Sequence, residues 1–495
     1  MQKFIFFATI IICYSCESLV PEKDQRPNIL FIQVDDLTAK YMGFFGADFA
    51  KTPNLDSLAS SGVVFNNAVV QGAMCTPSRN SLITGMYPHN MDLYENLDLF
   101  SLPKDTWTFP KALKKEGYKT FWVGKNHLLP YISRSEDDNT IIDRRNKAVQ
   151  VEMGFDDVYQ TIGKAMVLDM AKKQFAKDSC WEEGRDAYAD FLFENDLLDT
   201  LIKEGYHIPT TLDPDTEMID GHFTSIAIEK IGVYRGNSPF FMWVNYSGPH
   251  SPFNVPKEYL DMFELKDMPD VIDRYCETFD IPKELKQHPI PQELKTIFDY
   301  RKKYSAAISY MDAQAGRLID FINSSRFKDN TIIVFFSDHG IMTGDHGLVG
   351  KSTLFKEVLN PSLVISYPKE YKPQRVTIAV ELLDLGKTVL DIAGVPKETL
   401  DEIPNGNSLL PLLNGNGQFA GSGIGFSEMR GLRSAFNGDY KYIDHPETPI
   451  LFNLKEDPYE TQNMIEKEPE MAAHLKKAMD QWFLSSGSLL IKGIK

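Results

Sequence analysis

Four stretches of the chain share one pattern, a run of apolar residues that stops abruptly at polar or charged ones. Ile29-Leu30-Phe31-Ile32-Gln33-Val34 stops at Asp35-Asp36, and Thr120-Phe121-Trp122-Val123 stops at Gly124-Lys125-Asn126-His127. Phe240-Phe241-Met242-Trp243-Val244 gives way to Asn245-Tyr246-Ser247-Gly248-Pro249-His250, and Thr331-Ile332-Ile333-Val334-Phe335-Phe336 to Ser337-Asp338-His339-Gly340. Short runs that are apolar on both faces predict strands of a parallel sheet covered by helices. In open α/β sheets ligands bind beyond the carboxyl ends of the strands, so these four ends predict one shared crevice.

Helical patterns lie between the strands. Thr52-Pro53 predicts a cap and first-turn proline, followed by apolar Leu55, Leu58 and Ala59, with Gly62 near the helix end. A longer helix carries Tyr300, Tyr304, Ala307, Ile308, Met311, Ala315, Leu318, Ile319 and Ile322 at helical spacing, and its tyrosines and Met311 read as core. After Leu412 the texture changes. Asn414-Gly415-Asn416-Gly417 reads as a flexible connection. Asn437-Gly438, set between Arg433-Ser434-Ala435-Phe436 and Tyr440-Lys441-Tyr442-Ile443, predicts a hairpin, and a helix is expected over 468–483. The fold class is therefore α/β: a large, mostly parallel central sheet flanked by helices over 26–412, and a smaller antiparallel sheet plus helix over 413–495.

Charge narrows the partners. With 52 Lys+Arg against 69 Asp+Glu, a net charge of −17, the 495-residue chain is not expected to coat a nucleic acid. At 43% hydrophobic and 24% charged residues it reads as globular rather than disordered. The five cysteines, Cys13, Cys16, Cys75, Cys180 and Cys276, are too few for a disulfide scaffold; Cys180 and Cys276 could pair, which spacing alone leaves open. Met1-Gln2-Lys3 and the apolar run Phe4 to Ile12 predict an export leader over 1–16, too short to span a bilayer. Ser15-Cys16 resembles a lipoprotein cleavage site, although Cys13 and Tyr14 depart from that pattern. The expectation is a periplasmic protein or one tethered to the outer membrane, meeting the membrane only through a lipid on Cys16.

Cys75-Thr76-Pro77-Ser78-Arg79, followed by Thr84-Gly85, resembles the signature of the type I sulfatases, exported bacterial carbohydrate sulfatases among them. Further blocks of that family stand in order along the chain: Asn28 to Asp36, Gly124 to His127, Gly248-Pro249-His250 with Pro252-Phe253, Tyr304 to Ile319, and Ser337 to Gly340 with Gly344-Asp345-His346-Gly347. Tyr440-Lys441-Tyr442 and Leu451-Phe452-Asn453-Leu454 resemble its C-terminal hairpin. The resemblance implies an alkaline-phosphatase-like fold. It also implies that Cys75 is oxidised to formylglycine (3-oxoalanine) by a formylglycine-generating maturation enzyme.

A sulfate monoester needs an in-line nucleophile, neutralisation of its oxygens and a proton for the leaving alcohol. By the resemblance, the hydrated aldehyde at position 75 attacks sulfur as a gem-diol and gives a sulfo-enzyme intermediate, from which the second hydroxyl expels sulfate; a serine ester would lack that exit. Asp35, Asp36, Asp338, His339 and residue 75 would hold a divalent cation, Ca²⁺ with Mg²⁺ as the alternative, and His339 is a departure because the family commonly has an amide there. Arg79 would orient the diol, Lys125 and Lys351 would clamp sulfate oxygens, and His127 would take a proton during release. His250, also set against the sulfate, would protonate the leaving oxygen, with Lys351 beside it as a second candidate donor, and His346 would shape the loop before Lys351. The expected substrate is a sulfated carbohydrate of unspecified sugar and sulfate position, with the loops Leu128 to Leu212 and Phe253 to Gln292 as specificity elements. A phosphoester or phosphonate hydrolase of the same superfamily and a non-catalytic sulfoglycan-binding lipoprotein are the alternatives.

Overall fold

Strand β1 (Asn28–Asp35) is buried at every position. Its side chains alternate between two apolar clusters: Ile29 and Phe31 enter one, Leu30, Ile32 and Val34 the other. A strand with a core on each side must be interior to its sheet and covered by helices on both faces. The computed structural model describes residues 26–96, 103, 105–128, 151–178, 186–205, 210–272, 282–285, 294–415 and 417–487. The expected leader with Cys13 and Cys16, the cysteines Cys180 and Cys276, and Asn416 lie outside the described residues.

Seven further strands join β1: β2 (Val63–Phe65), β3 (Lys119–Lys125), β4 (Asp157–Thr161), β5 (Phe240–Pro249), β6 (Thr331–Ser337), β7 (Leu363–Ser366) and β8 (Gln374–Val376). Across the sheet the order is β8-β2-β7-β6-β1-β5-β3-β4, with β7 antiparallel to both of its neighbours and the remaining pairs parallel. The four runs singled out in the sequence are thus the adjacent strands β6, β1, β5 and β3. Their register aligns the polar ends: Asp35 pairs with Pro249, Val34 with Ser337, Gly124 with Asn245, and Lys125 with Thr161.

Beneath the crevice, Phe31 packs edge-on against Phe241, Trp243 and Phe336, with centroids 5.2, 5.6 and 5.3 Å away. On the opposite face lies the long helix α4 (Leu294–Ser324), introduced with α1 (Pro53–Ser60), α2 (Cys75–Thr84) and α3 (Lys164–Asp178). Its stripe of Tyr304, Ala307, Ile308, Met311, Ala315, Leu318 and Ile322 is buried, as the spacing predicts. The N-terminus of α1 differs from the expectation. Thr52 makes no capping bond to α1; its hydroxyl accepts from the Gly43 N–H at 3.1 Å and donates to Asp56 at 3.1 Å. The carboxylate of Asp312 on α4 takes the first-turn N–H groups of Asn54 (3.2 Å) and Leu55 (2.8 Å) instead. A charged acceptor from a neighbouring helix is the better partner for the positive end of α1.

The tail forms the antiparallel sheet β9 (Gly425–Met429), β10 (Leu432–Phe436), β11 (Tyr440–Asp444) and β12 (Ile450–Asn453), followed by α5 (Pro469–Ser486). The hairpin turns where Asn437-Gly438 predicts it, and Gly438 has φ +102°. Helix α5 packs on this sheet through Trp482, whose ring stacks on Phe426 at 4.6 Å. Glu428 ties this sheet to the segments on either side of α2: its N–H donates to the Gln71 carbonyl at 2.9 Å, and its carboxylate accepts from the His89 N–H at 2.9 Å. No helix among the described residues is long and apolar enough to cross a membrane.

Candidate active site

Cys75 is the first residue of α2, following an extended Met74, and is fully buried. Pro77 costs nothing there because first-turn N–H groups have no partner inside the helix. Three polar groups surround the sulfur. Lys351 Nζ lies 2.9 Å from Sγ, His339 Nε2 lies 3.2 Å away, and the thiol donates to Asp35 Oδ1 at 3.4 Å. A thiol that only filled space would call for apolar neighbours, since it is a weak hydrogen-bonding group.

One turn along α2, Arg79 is buried and reaches three strand ends. Its Nε donates to Asp338 Oδ2 at 2.8 Å, Nη1 donates to Asn245 Oδ1 at 3.2 Å, and Nη2 lies 3.9 Å from Asp35 Oδ2. Ser78 adds a bond to the Asp338 carbonyl at 2.6 Å. Helix α2 is thereby fastened across the carboxyl edges of β6, β5 and β1.

The paired acids at the end of β1 point to different partners because the chain turns sharply between them. Asp36 has φ +63°, a left-handed conformation that costs energy for a side chain other than glycine. The turn is held by the Tyr304 hydroxyl, which donates to the Asp36 carbonyl at 2.6 Å and accepts from the Thr38 N–H at 3.0 Å. Asp35 faces Arg79 and binds Lys125. Asp36 takes Lys351 at 2.7 Å and lies 3.5 Å from His250 Nε2 and 3.3 Å from His339 Nδ1. Lys125 arrives through Gly124, whose φ of +105° and 2.1 Å clearance between a Cβ and the Asn245 carbonyl require glycine.

The charges set one another. Burial pushes the Asp35 carboxyl up, but Lys125, His250, Arg79 and Lys351 together hold it well below the ordinary carboxylate value. Burial likewise opposes the Lys351 charge, yet Asp36 and then the Cys75 sulfur raise its pKa well above 10.5. His339 is driven down by burial and up by Asp338 and the Cys75 sulfur, and ends near 9. His127 is buried beside Lys125 and Arg79, which adds to desolvation and places it well below 6.5. His250 is lowered to about 4, by burial first, with Asp36 opposing and Lys351 adding to it. Its Nδ1 is engaged by the Ser251 carbonyl, so Nε2 is the nitrogen turned toward Asp36.

One group of metal-capable side chains stands out among the described residues: atoms of Asp35, Cys75, Asp338 and His339 lie within 4.8 Å of one another, all buried. Asp36 stands outside that group, its carboxylate drawn to Lys351. All ten residues expected at the site sit at or just beyond the carboxyl edge of the sheet or on α2. His346 is stacked on Phe355 at 4.3 Å, in the loop that leads to Lys351.

Sequence reasoning missed four contributors. Tyr304 read as core, and it is buried, yet its hydroxyl fixes Asp36. Asn245 directly ends an apolar run, a signal that could have found it. Ser78 gave no signal beyond its place in the motif. Asp220 interrupts the apolar stretch Met218-Ile219 and is buried; its Oδ1 accepts from the Ser247 and Gly248 N–H groups at 2.6 and 3.3 Å, which positions the loop carrying His250.

Comparison with known proteins bears on the family and the fold. The family model described as Sulfatase matches residues 27–395. The chain is similar to the N-acetylglucosamine-6-O-sulfatase of Bacteroides thetaiotaomicron, 25% identical over 445 residues that span 82% of this chain and 74% of that protein. Its fold superposes on the phosphonate monoester hydrolase of Agrobacterium radiobacter with a TM-score of 0.72 at 21% identity, covering 94% of this chain and 96% of that one. It also superposes on a protein solved with its substrate D-glucosamine-2-N,6-O-disulfate, with a TM-score of 0.69 at 20% identity and coverage of 94% and 98%.

Proposed function

The chain belongs to the sulfatase family, whose members are metal-dependent sulfuric ester hydrolases, and from that premise we propose that it hydrolyses a sulfate monoester on a carbohydrate. The observation that carries the reading is the setting of Cys75: a buried sulfur at a helix N-terminus with Lys351, His339 and Asp35 all within hydrogen-bonding reach. Similarity to the N-acetylglucosamine-6-O-sulfatase supports a sugar as the carrier of the sulfate.

Residue 75 and the acids around it fit the two groups that the resemblance implies. A formylglycine derived from Cys75 would place oxygens where donors (Lys351, His339) and an acceptor (Asp35) converge, and it would supply the hydroxyl that attacks sulfur. A divalent cation, Ca²⁺ with Mg²⁺ as the alternative, would be held by carboxylate oxygens of Asp35 and Asp338 with residue 75 and His339 beside them, and by Asp36 if its carboxylate turned from Lys351, and it would neutralise charge on the sulfate oxygens.

The remaining work falls to the chain's own side chains. Lys351 and Lys125 draw the sulfate into the crevice by charge. Arg79, fixed by Asp338 and Asn245, orients residue 75 against Asp35. His250, with Nδ1 donating to the Ser251 carbonyl, turns Nε2 toward the leaving oxygen; it delivers a proton there once the bound sulfate anion, added to Asp36, raises its pKa from about 4 and makes the ring an imidazolium, with the protonated Lys351 beside it as a second donor. His127, kept neutral by burial and by Lys125, accepts the proton when sulfate is released. The apolar run after Lys3 supports export to the periplasm or a tether to the outer membrane through Cys16.

Intact mass of the Cys75 peptide from protein made in its native host tests the mechanism. The peptide should carry an aldehyde that reacts with a hydrazine reagent; an unmodified thiol in active protein would rule out the formylglycine.

A further inference from the structure

Strand β4 lies beside β3, with Thr161 in register with Lys125. The chain leaves it through Ile162 and Gly163, whose φ of +103° turns the backbone sharply, and α3 begins at once with Lys164. The same turn brings Gly163 against the Lys125 side chain: a Cβ there would meet Lys125 Cε at 3.4 Å. Lys164 therefore emerges at the carboxyl edge of the sheet, next to a lysine of the active site, on the flank away from Lys351.

Its surroundings are unusual for a lysine. The residue is half-buried, and its ammonium makes no side-chain hydrogen bond or ion pair among the described residues. It lines one otherwise mostly apolar pocket with Asp220, in the first turn of the helix Ile219–Val233 that precedes β5, and with Asn254, four residues past His250. Asp220 is its main counter-charge, but that carboxylate already accepts two backbone N–H groups. Burial lowers the pKa of Lys164 below 10.5, and the attraction of Asp220 and then Asp35 offsets this only in part. A half-desolvated ammonium with an incomplete counter-charge is a place where an anion is favoured.

We propose that Lys164 binds a second anionic group of the substrate, a carboxylate or a further sulfate on the same or the neighbouring sugar, while the scissile sulfate sits between Lys125 and Lys351. This rests on the carbohydrate sulfatase reading and narrows it to substrates with at least two anionic groups. Lys125 and Lys164 occupy adjacent strand ends, so one sugar unit can present a group to each.

The test compares kcat/KM for N-acetylglucosamine 6-sulfate, for glucosamine 2-N,6-O-disulfate, and for a monosulfated disaccharide with a uronic acid, in the wild type, Lys164→Gln and Lys164→Arg. The wild type should prefer one of the two dianionic substrates; which one tells sulfate from carboxylate. Lys164→Gln should reduce that preference by about tenfold, the order expected for one partly desolvated charge pair, chiefly through KM, and Lys164→Arg should restore most of it. A folded Lys164→Gln protein with the wild-type preference ratio, or a wild type without preference for a second anion, overturns the role of Lys164. A wild type that releases sulfate from no sugar overturns the carbohydrate reading itself.

Discussion

Lys351 Nζ lies 2.9 Å from Cys75 Sγ although 276 positions separate them in the chain. The ammonium also bonds Asp36 at 2.7 Å, so one lysine links the residue at the head of α2 to the turn at the end of β1. Removing either end of this link should be felt in the chemistry rather than in the fold. Cys75→Ala should abolish sulfate release while circular dichroism and Tm stay close to the wild type. Sulfate release above background by that variant would place the nucleophile elsewhere.

His250 is assigned to the leaving oxygen, so its importance should depend on how much the leaving group needs a proton. His250→Ala should lower kcat on a sugar sulfate, whose alcohol is a poor leaving group, by on the order of 10²-fold or more. With 4-nitrophenyl sulfate, whose phenolate leaves unaided, the loss should be at least about tenfold smaller. Equal losses on both substrates would contradict the assignment.

Metal removal gives a check with a readout besides activity. A cation bound by Asp35, Asp36 and Asp338 in the folded chain alone stabilises it by about 2.7 kcal/mol at a hundredfold excess over Kd. Dialysis against a chelator should therefore lower both Tm and turnover, and Ca²⁺ should restore both. Asp338→Asn should remove the Tm response to Ca²⁺; a Tm that responds as in the wild type would place the ion at another site.

A second pair of acids makes a prediction about stability. Burial, and then the neighbouring Asp384, push Glu381 from 4.5 up to about 8, and burial pushes Asp384 from 3.8 up to about 7. The folded chain thus holds protons that the unfolded chain releases between about pH 4 and pH 8, so this contribution is fully present at the acid end and is lost as pH rises through the folded values. Glu381→Gln keeps the acceptor for the Phe426 N–H and the contact with the Tyr87 hydroxyl while removing one titration. Its Tm, taken relative to the wild type, should climb from about pH 5 to pH 8 and then level off; a pH-independent difference would contradict the shift.

What the chain discloses before it is folded depends on how local the cause is. The strand ends were legible because Asp35-Asp36, Lys125, His250 and Asp338-His339 each follow a run too apolar to lie anywhere but inside a sheet. The hairpin at Asn437-Gly438 was legible for the same reason, since a left-handed glycine is a local demand. The capping of α1 was not, because Asp312 takes the N–H groups from 257 and 258 positions away and no local pattern announces it. Tyr304 was half legible: its spacing placed the ring in the core, while the bond from its hydroxyl to Asp36 depends on how α4 crosses the sheet. Lys164 gave no signal at all until the register of β3 and β4 set it beside Lys125.

Release of sulfate from defined sugars, measured beside release of phosphate and phosphonate from matched esters, tests the central claim most directly. The fold is shared with a phosphonate monoester hydrolase, so the comparison is needed. The account predicts that N-acetylglucosamine 6-sulfate or a related sulfated sugar is turned over with a kcat/KM far above that of any phosphate or phosphonate ester. A clear preference for phosphorus esters, with sulfated sugars left intact, would contradict it.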